Sequence, residues 1–224
     1  MALVPSTKNC RQYQNLGAIT ATTGNIVEEL DKLKKGIFSK IVVINNRYDG
    51  IDLPDESCRI LIMDSLPYFD SLADRYEEQA CPNSELINKR IAQKIEQGIG
   101  RGVRGEKDYC AILIIGSELV RFMRSIATNK FFSPQTRKQI DIGIEIADMA
   151  KEDKTESPIK VVLSLIKQML VRDEGWKEYY ASEMDTIAED NAESQVYDRL
   201  LTLHHLNVED FSEQYSEEYY HKTR

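Results

Sequence analysis

Three continuous apolar runs constrain the fold of this 224-residue chain more than any other feature. They span residues 40–46, 59–66 and 110–115 and are rich in β-branched side chains. A strand whose residues do not alternate between polar and apolar is buried on both faces, as in a parallel sheet. Two shorter runs, residues 2–6 and 18–22, fit further strands. The helix-like stretches between these runs predict an α/β fold with a mostly parallel sheet and flanking helices.

Strand signals end after about Phe122. Ser133–Pro134 and Ser157–Pro158 each place an N-cap residue before a proline at the first helical position. We therefore predict two parts, an α/β domain over residues 1–122 and an all-helical extension over residues 123–224. Because the first strand begins almost at the first residue, we expect the N-terminal edge of the α/β domain to be truncated.

Charge is distributed unevenly along the chain. Residues 1–122 carry 16 basic and 17 acidic side chains, whereas residues 123–224 carry 13 and 20. An acidic surface is unfavourable for nucleic acid, so we expect any such contact in the first part.

The spacing of the cysteines and the length of the apolar runs predict neither a metal centre nor a membrane span. The four cysteines are widely spaced and form no Cys-x-x-Cys pair, so we expect free thiols and no metal. No signal-peptide pattern opens the sequence, and no apolar run is long enough to cross a bilayer. These features favour a cytoplasmic protein with no membrane partner.

A glycine- and arginine-rich stretch, QGIGRGVRG at residues 97–105, lies between a helix-like run and the third strand run. Glycine lets the backbone approach a ligand closely. The planar, permanently charged fork of arginine suits phosphate oxygens. An arginine pair at such a position can point out of its own domain, as an arginine finger does. The alternative is a solvated turn with surface ion pairs.

A polar loop, RYDGIDLP at residues 47–54, follows the first strand run. Loops at the carboxyl ends of parallel strands are the usual functional positions of an open sheet. Asp49 and Asp52 could also be simple turn formers, because Asp-Gly is a common turn pair. Tyr48 is as compatible with core packing as with base stacking.

These stretches resemble a known family. The spacing Gln97-x-x-Gly100-Arg101-x-x-Arg104 resembles motif VI of superfamily 2 helicases, and the longer text QGIGRGVRGEKDYCAILIIG is similar to the DinG/XPD type. Residues 46–54 resemble motif V of that group, and residues 2–6 resemble the strand that carries motif IV. The resemblance covers roughly residues 2–121. It implies the second RecA-like motor domain of an ATP-dependent DNA helicase.

The resemblance also implies roles for individual residues. Arg101 and Arg104 would reach the γ-phosphate of ATP held on another domain, with Arg104 as the finger. The other positions expected at the nucleotide or the inter-domain cleft are Gln97, Gly100, Gly50 and Asp52. The positions expected near single-stranded nucleic acid, in this family DNA, are Ser6, Arg47 and Tyr48.

The sequence departs from the family in one respect that matters for catalysis. It contains no Gly-x-x-x-x-Gly-Lys-Ser/Thr string to cradle phosphates and no magnesium-binding Asp-Glu motif. We therefore expect ATP and Mg²⁺ to bind only with a first motor domain of the same parent chain, and we expect no ATPase activity from this chain alone. Two other functions share these features: a RecA-like interaction or nucleic-acid-binding module without turnover, and the translocase of a restriction or phage-defence system.

Overall fold

Five parallel strands form one sheet in the part of the chain that the structure describes. The computed structural model describes residues 1–37, 39–48, 57–68, 72–81, 84–100, 109–152 and 157–189. The strands are β1 Ala2–Val4, β2 Ile19–Ala21, β3 Val42–Asn45, β4 Ile60–Asp64 and β5 Ala111–Ile115. Their order in the sheet is β2-β3-β1-β4-β5, and every neighbouring pair is parallel. The predicted parallel α/β sheet is confirmed.

Helices account for most of the remaining described residues. They are α1 Thr7–Asn15, α2 Ile26–Lys34, α3 Leu72–Ala80, α4 Glu85–Ile99, α5 Ser117–Arg124, α6 Ile126–Asn129, α7 Pro134–Glu152, α8 Pro158–Leu170 and α9 Glu174–Asp185, followed by a 3₁₀ turn at Thr186–Glu189. From residue 117 to 189 the described segments contain helices and their connections only, as predicted. The rest of the predicted extension, residues 190–224, lies outside the described residues. Within the described part, no helix has the length and apolar character of a membrane span.

The strands lack polar–apolar alternation because helices cover both faces of the sheet. Ala2, Leu3 and Val4 of the central strand β1 are each 0% exposed. On one face, Ala2 and Val4 pack with Cys10 and Tyr13 of α1. On the other face, Leu3 belongs to a larger core that includes apolar side chains of α2, α4 and α5. Two-sided burial is complete at β1, whereas alternate residues of β4 are only half-buried and no residue of β5 is fully buried.

The larger core continues past residue 122. Met123, Phe132 and Ile140 belong to the same cluster as the strand residues. The rings of Phe122 and Phe132 meet edge to face with centroids 6.0 Å apart, an arrangement that aromatic pairs favour. The first helices of the predicted extension therefore pack on the sheet, and the division at residue 122 stays a prediction.

Candidate functional site

The chain turns abruptly where β3, β4 and β5 end. These ends lie at one edge of the sheet, which we name the carboxyl edge. Asn46, Ser65 and Gly116 directly follow β3, β4 and β5, with φ values of 44°, 72° and 104°. Residues other than glycine rarely adopt this left-handed region, and such residues concentrate at functional sites. The carboxyl edge is therefore the first place to examine for a site.

Ser6 lies at this edge, directly before α1. Its hydroxyl caps the helix by accepting a hydrogen bond from the Asn9 backbone N–H at 3.2 Å. The Asn9 amide donates to Ser65 Oγ at 3.3 Å, and Ser65 Oγ donates to Asp64 Oδ1 at 2.8 Å. This chain of hydrogen bonds ties the end of β1 to the end of β4 and orients Ser6.

The carboxylate of Asp64 has a second partner on α1. The Tyr13 hydroxyl donates to Asp64 Oδ2 at 3.0 Å. Burial, this hydrogen bond and the carboxylate charge all raise the pKa of Tyr13, so the phenol remains the donor. Asp64 and Ser65 were not among the site residues predicted from the sequence. Their signal was available, because they are polar residues at the end of an apolar strand run.

Arg47 and Tyr48, which follow β3, have opposite surroundings. Arg47 is exposed, whereas Tyr48 is only 1% exposed and belongs to the larger core. Burial is the main cause of the raised pKa of Tyr48, with a smaller contribution from the charge of Asp64. Bases stack on accessible rings, so this placement favours the packing alternative for Tyr48. Arg47 has the exposure that a phosphate contact requires.

The last turn of α4 lies against the same region because Gly98 has no side chain. A β-carbon on Gly98 would lie 2.5 Å from Met63 Cε, 3.0 Å from Tyr48 Cδ1 and 3.2 Å from Leu3 Cδ1. Met63 is the next-to-last residue of β4, so the end of α4 lies over the carboxyl half of the sheet. Gln97 and Gly100 are exposed beside this contact. The structure thus brings the beginning of the 97–105 stretch next to the beginning of the 47–54 loop.

A second contact holds the same turn of α4 from the opposite direction. Glu96 Oε1 accepts a hydrogen bond at 2.7 Å from the backbone N–H of Ser133, directly before α7. The Ser133 hydroxyl in turn accepts from the Thr136 N–H at 3.3 Å and caps the helix. The end of α4 is therefore fixed both to the sheet and to α7.

Four of the predicted site residues, Gly50, Asp52, Arg101 and Arg104, lie outside the described residues, and their roles stay predictions. The described chain resumes after the arginines at Tyr109, whose ring contacts two other arginine side chains. The Arg59 guanidinium lies 3.8 Å from the Tyr109 ring centroid, and that of Arg172 lies 5.0 Å from it. Gly98, before the gap at residues 101–108, and Tyr109, after it, are thus each held by side-chain packing.

A five-stranded parallel sheet covered by helices on both faces and continued by further helices defines a RecA-like α/β domain with a helical extension. The sequence model of the helicase C-terminal domain family matches residues 6–133. This match covers more than half of the chain, which therefore belongs to the helicase C-terminal domain family. No curated protein matches the chain.

Proposed function

We propose that this chain acts as the second motor domain of an ATP-dependent DNA helicase or translocase of the DinG/XPD type. The observation that carries the proposal is the contact of Gly98 with Tyr48. It supports the proposal because α4, which precedes Arg101 and Arg104 in the sequence, ends beside Tyr48, which precedes Gly50 and Asp52. A nucleotide at an inter-domain cleft needs groups from both segments on one side.

In this proposal the ATP is held by a first motor domain, and this chain completes the site. Arg104 and Arg101 stabilise the negative charge that develops on the transferred phosphoryl group. Gln97 and Gly100 fit a position at that cleft, because both are exposed at the anchored end of α4. Hydrolysis of the Mg²⁺–ATP complex on the partner domain supplies the free energy for movement along DNA.

The DNA contact in this proposal uses the carboxyl edge. Exposed Arg47 is suited to a backbone phosphate, and Ser6 lies at the same edge before the N-terminus of α1. Tyr48 packs beneath this surface and does not stack on a base, because it is only 1% exposed.

The decisive experiment measures DNA-stimulated ATP hydrolysis by a protein that joins this chain to its first motor domain. Arg104→Ala is expected to lower kcat by about 10³-fold or more, the usual effect of removing an arginine finger. Arg104→Lys should restore little of the lost kcat, because lysine has the positive charge but lacks the planar fork of the guanidinium group. Arg121→Ala is the matched control. Arg121 lies on α5, is 75% exposed and pairs only loosely with Glu118 at 3.6 Å.

Two results would contradict the proposal. Full activity of the Arg104→Ala protein would show that another group stabilises the phosphoryl charge. ATP turnover by the 224-residue chain alone, abolished by Arg104→Ala, would show that no first motor domain is required. Absence of DNA-stimulated turnover in the parent joined protein, while the chain still binds single-stranded DNA, would favour the interaction module instead.

A further inference from the structure

Two cysteines occupy neighbouring positions at the amino ends of adjacent strands. Cys58 lies two residues before β4, and Cys110 directly precedes β5. The strands pair in parallel with Ile60 opposite Ala111, and the Ala111 N–H donates to the Arg59 carbonyl at 2.9 Å. The backbone bends at Arg59, before β4 begins, so Cys58 lies outside the alternation of the strand and its side chain reaches the same core as that of Cys110.

The two thiols lie at the same core. Cys58 is 3% exposed and belongs to the larger core cluster, Cys110 is half-buried and packs against it, and each thiol donates to a nearby backbone carbonyl at 3.5 Å, Cys58 to Ile60 and Cys110 to Ala111. Interaction with the neighbouring thiol is the main cause that lowers the pKa of Cys58 and raises that of Cys110. A thiolate is the nucleophile in thiol chemistry, so the pair contains an activated thiol beside a resolving one.

The residues next to these cysteines hold the two backbones together. Arg59 follows Cys58 and Tyr109 precedes Cys110, and the Arg59 guanidinium lies over the Tyr109 ring at 3.8 Å. Arg59 Nη1 also donates to the Tyr109 carbonyl at 3.1 Å. This double contact fixes the approach of the two thiols before any bond forms between them.

The other two cysteines do not share this arrangement. Cys10 lies on α1 in the smaller cluster on the opposite face of the sheet. Cys81 is exposed directly after α3. Of the four cysteines, all of which lie in the described residues, only Cys58 and Cys110 lie at the same core.

We propose that Cys58 and Cys110 form a thiol modification site that a hydroperoxide oxidises to an intrachain disulfide. The Cys58 thiolate attacks the peroxide, and with hydrogen peroxide a sulfenic acid forms and hydroxide leaves. The Cys110 thiol then attacks the sulfenic sulfur and releases water. Overall, two thiols and one hydrogen peroxide give one disulfide and two waters. The new bond links the starts of β4 and β5, directly after the arginine-bearing segment, and it does not depend on the proposed helicase activity.

The test uses the full 224-residue chain treated with hydrogen peroxide and digested with trypsin after blocking of free thiols. Cleavage at Arg and Lys releases Cys58 in peptide 48–59 and Cys110 in peptide 108–121. These two peptides are expected to be recovered as one linked species that dithiothreitol separates. The melting temperature of the oxidised chain should rise by about 5 °C or more, because the bond closes a long loop of the unfolded chain.

Two variants make the result specific. Cys81→Ser removes the exposed thiol and should leave the linked peptides unchanged. Cys110→Ser removes the resolving thiol, so Cys58 should gain oxygen and the melting temperature should no longer rise. The proposal is overturned if both thiols of the parent chain gain oxygen without linking. It is equally overturned if either cysteine links to Cys10, to Cys81 or to another chain.

Discussion

Gly98 packs directly on Tyr48, and a β-carbon at position 98 would come within 3.0 Å of the tyrosine ring. Leu3, Tyr48 and Met63 enclose this position and are each 0–1% exposed. The end of α4 can approach the sheet this closely only because glycine leaves the space free. The contact therefore sets how closely the last turn of α4 approaches Tyr48, directly before the 49–56 gap in the described residues.

Replacing Gly98 with alanine is expected to destabilise the chain by about 1–2 kcal/mol, because an added methyl overpacks an enclosed position. Gly143 provides the matched control. It also lies within a helix, but a β-carbon there meets nothing within 4 Å. Gly143→Ala should stabilise the chain by about 0.5–1 kcal/mol through helix propensity. Urea denaturation of both variants measures the difference, and equal stabilisation by both would contradict the close packing.

The hydrogen bond from the Ser133 N–H to Glu96 predicts a cost for removing the carboxylate. Glu96→Ala should lower the free energy of unfolding by about 1–2 kcal/mol, because the part-buried N–H of Ser133 loses its acceptor. Glu96→Gln keeps an acceptor oxygen and should cost less. Glu85→Ala is the control. Its surface pair with Lys130 joins side chains that are 63% and 53% exposed, so the expected loss is about 0–1 kcal/mol. If both alanine variants lose the same amount, the hydrogen bond from the Ser133 N–H to Glu96 does not stabilise the fold.

The hydrogen bond between Tyr13 and Asp64 predicts a dependence of stability on alkaline pH. Tyr13→Phe should cost about 1 kcal/mol near neutral pH. The folded-state pKa of Tyr13 is raised, so its contribution is fully present below about pH 10, the unfolded value, and is lost as the pH rises further. The difference in melting temperature between the parent and Tyr13→Phe chains should therefore shrink above about pH 10. Tyr76→Phe replaces a tyrosine that is 73% exposed. This control should change neither the stability near neutral pH nor the dependence of the melting temperature on alkaline pH. A difference that grows with pH would contradict the assignment.

Exposed Arg47 predicts a change in the salt dependence of DNA binding. A side chain that neutralises one phosphate of single-stranded DNA contributes about 0.7 to the slope of log K against log salt. Arg47→Ala should therefore reduce the magnitude of that slope by about this amount, as measured by fluorescence anisotropy with a labelled oligonucleotide. Arg121→Ala on the exposed surface of α5 should leave the slope unchanged. An unchanged slope for Arg47→Ala would remove Arg47 from the DNA surface.

The strands and the starts of α7 and α8 were predictable because their signals are local. A continuous apolar run indicates a strand buried on both faces wherever its partners lie. A serine before Pro134 or Pro158 marks a helix start through fixed backbone angles and a missing N–H. The order of the strands was not predictable in the same way. The pairing of β1 with both β3 and β4 depends on contacts between residues that are far apart in sequence.

At the candidate site, too, local sequence predicts some features, whereas others depend on contacts between distant residues. Local sequence could not separate stacking from packing for Tyr48, because the burial of its ring depends on Gly98 in a distant helix. Local sequence could not reveal the polar network at the carboxyl edge either. That network needs Tyr13 and Asp64, on different elements, to meet across one face of the sheet.

The identities and spacing of the residues were sufficient to indicate an α/β domain of helicase type, since backbone preference and motif chemistry depend on near neighbours. Which side chains of those motifs face solvent and which face the core depends on the tertiary structure. It left Arg47 and Gln97 exposed and enclosed Tyr48 beneath α4. The physical reason is that burial results from packing between distant segments, and here it follows from the space that Gly98 leaves over the sheet.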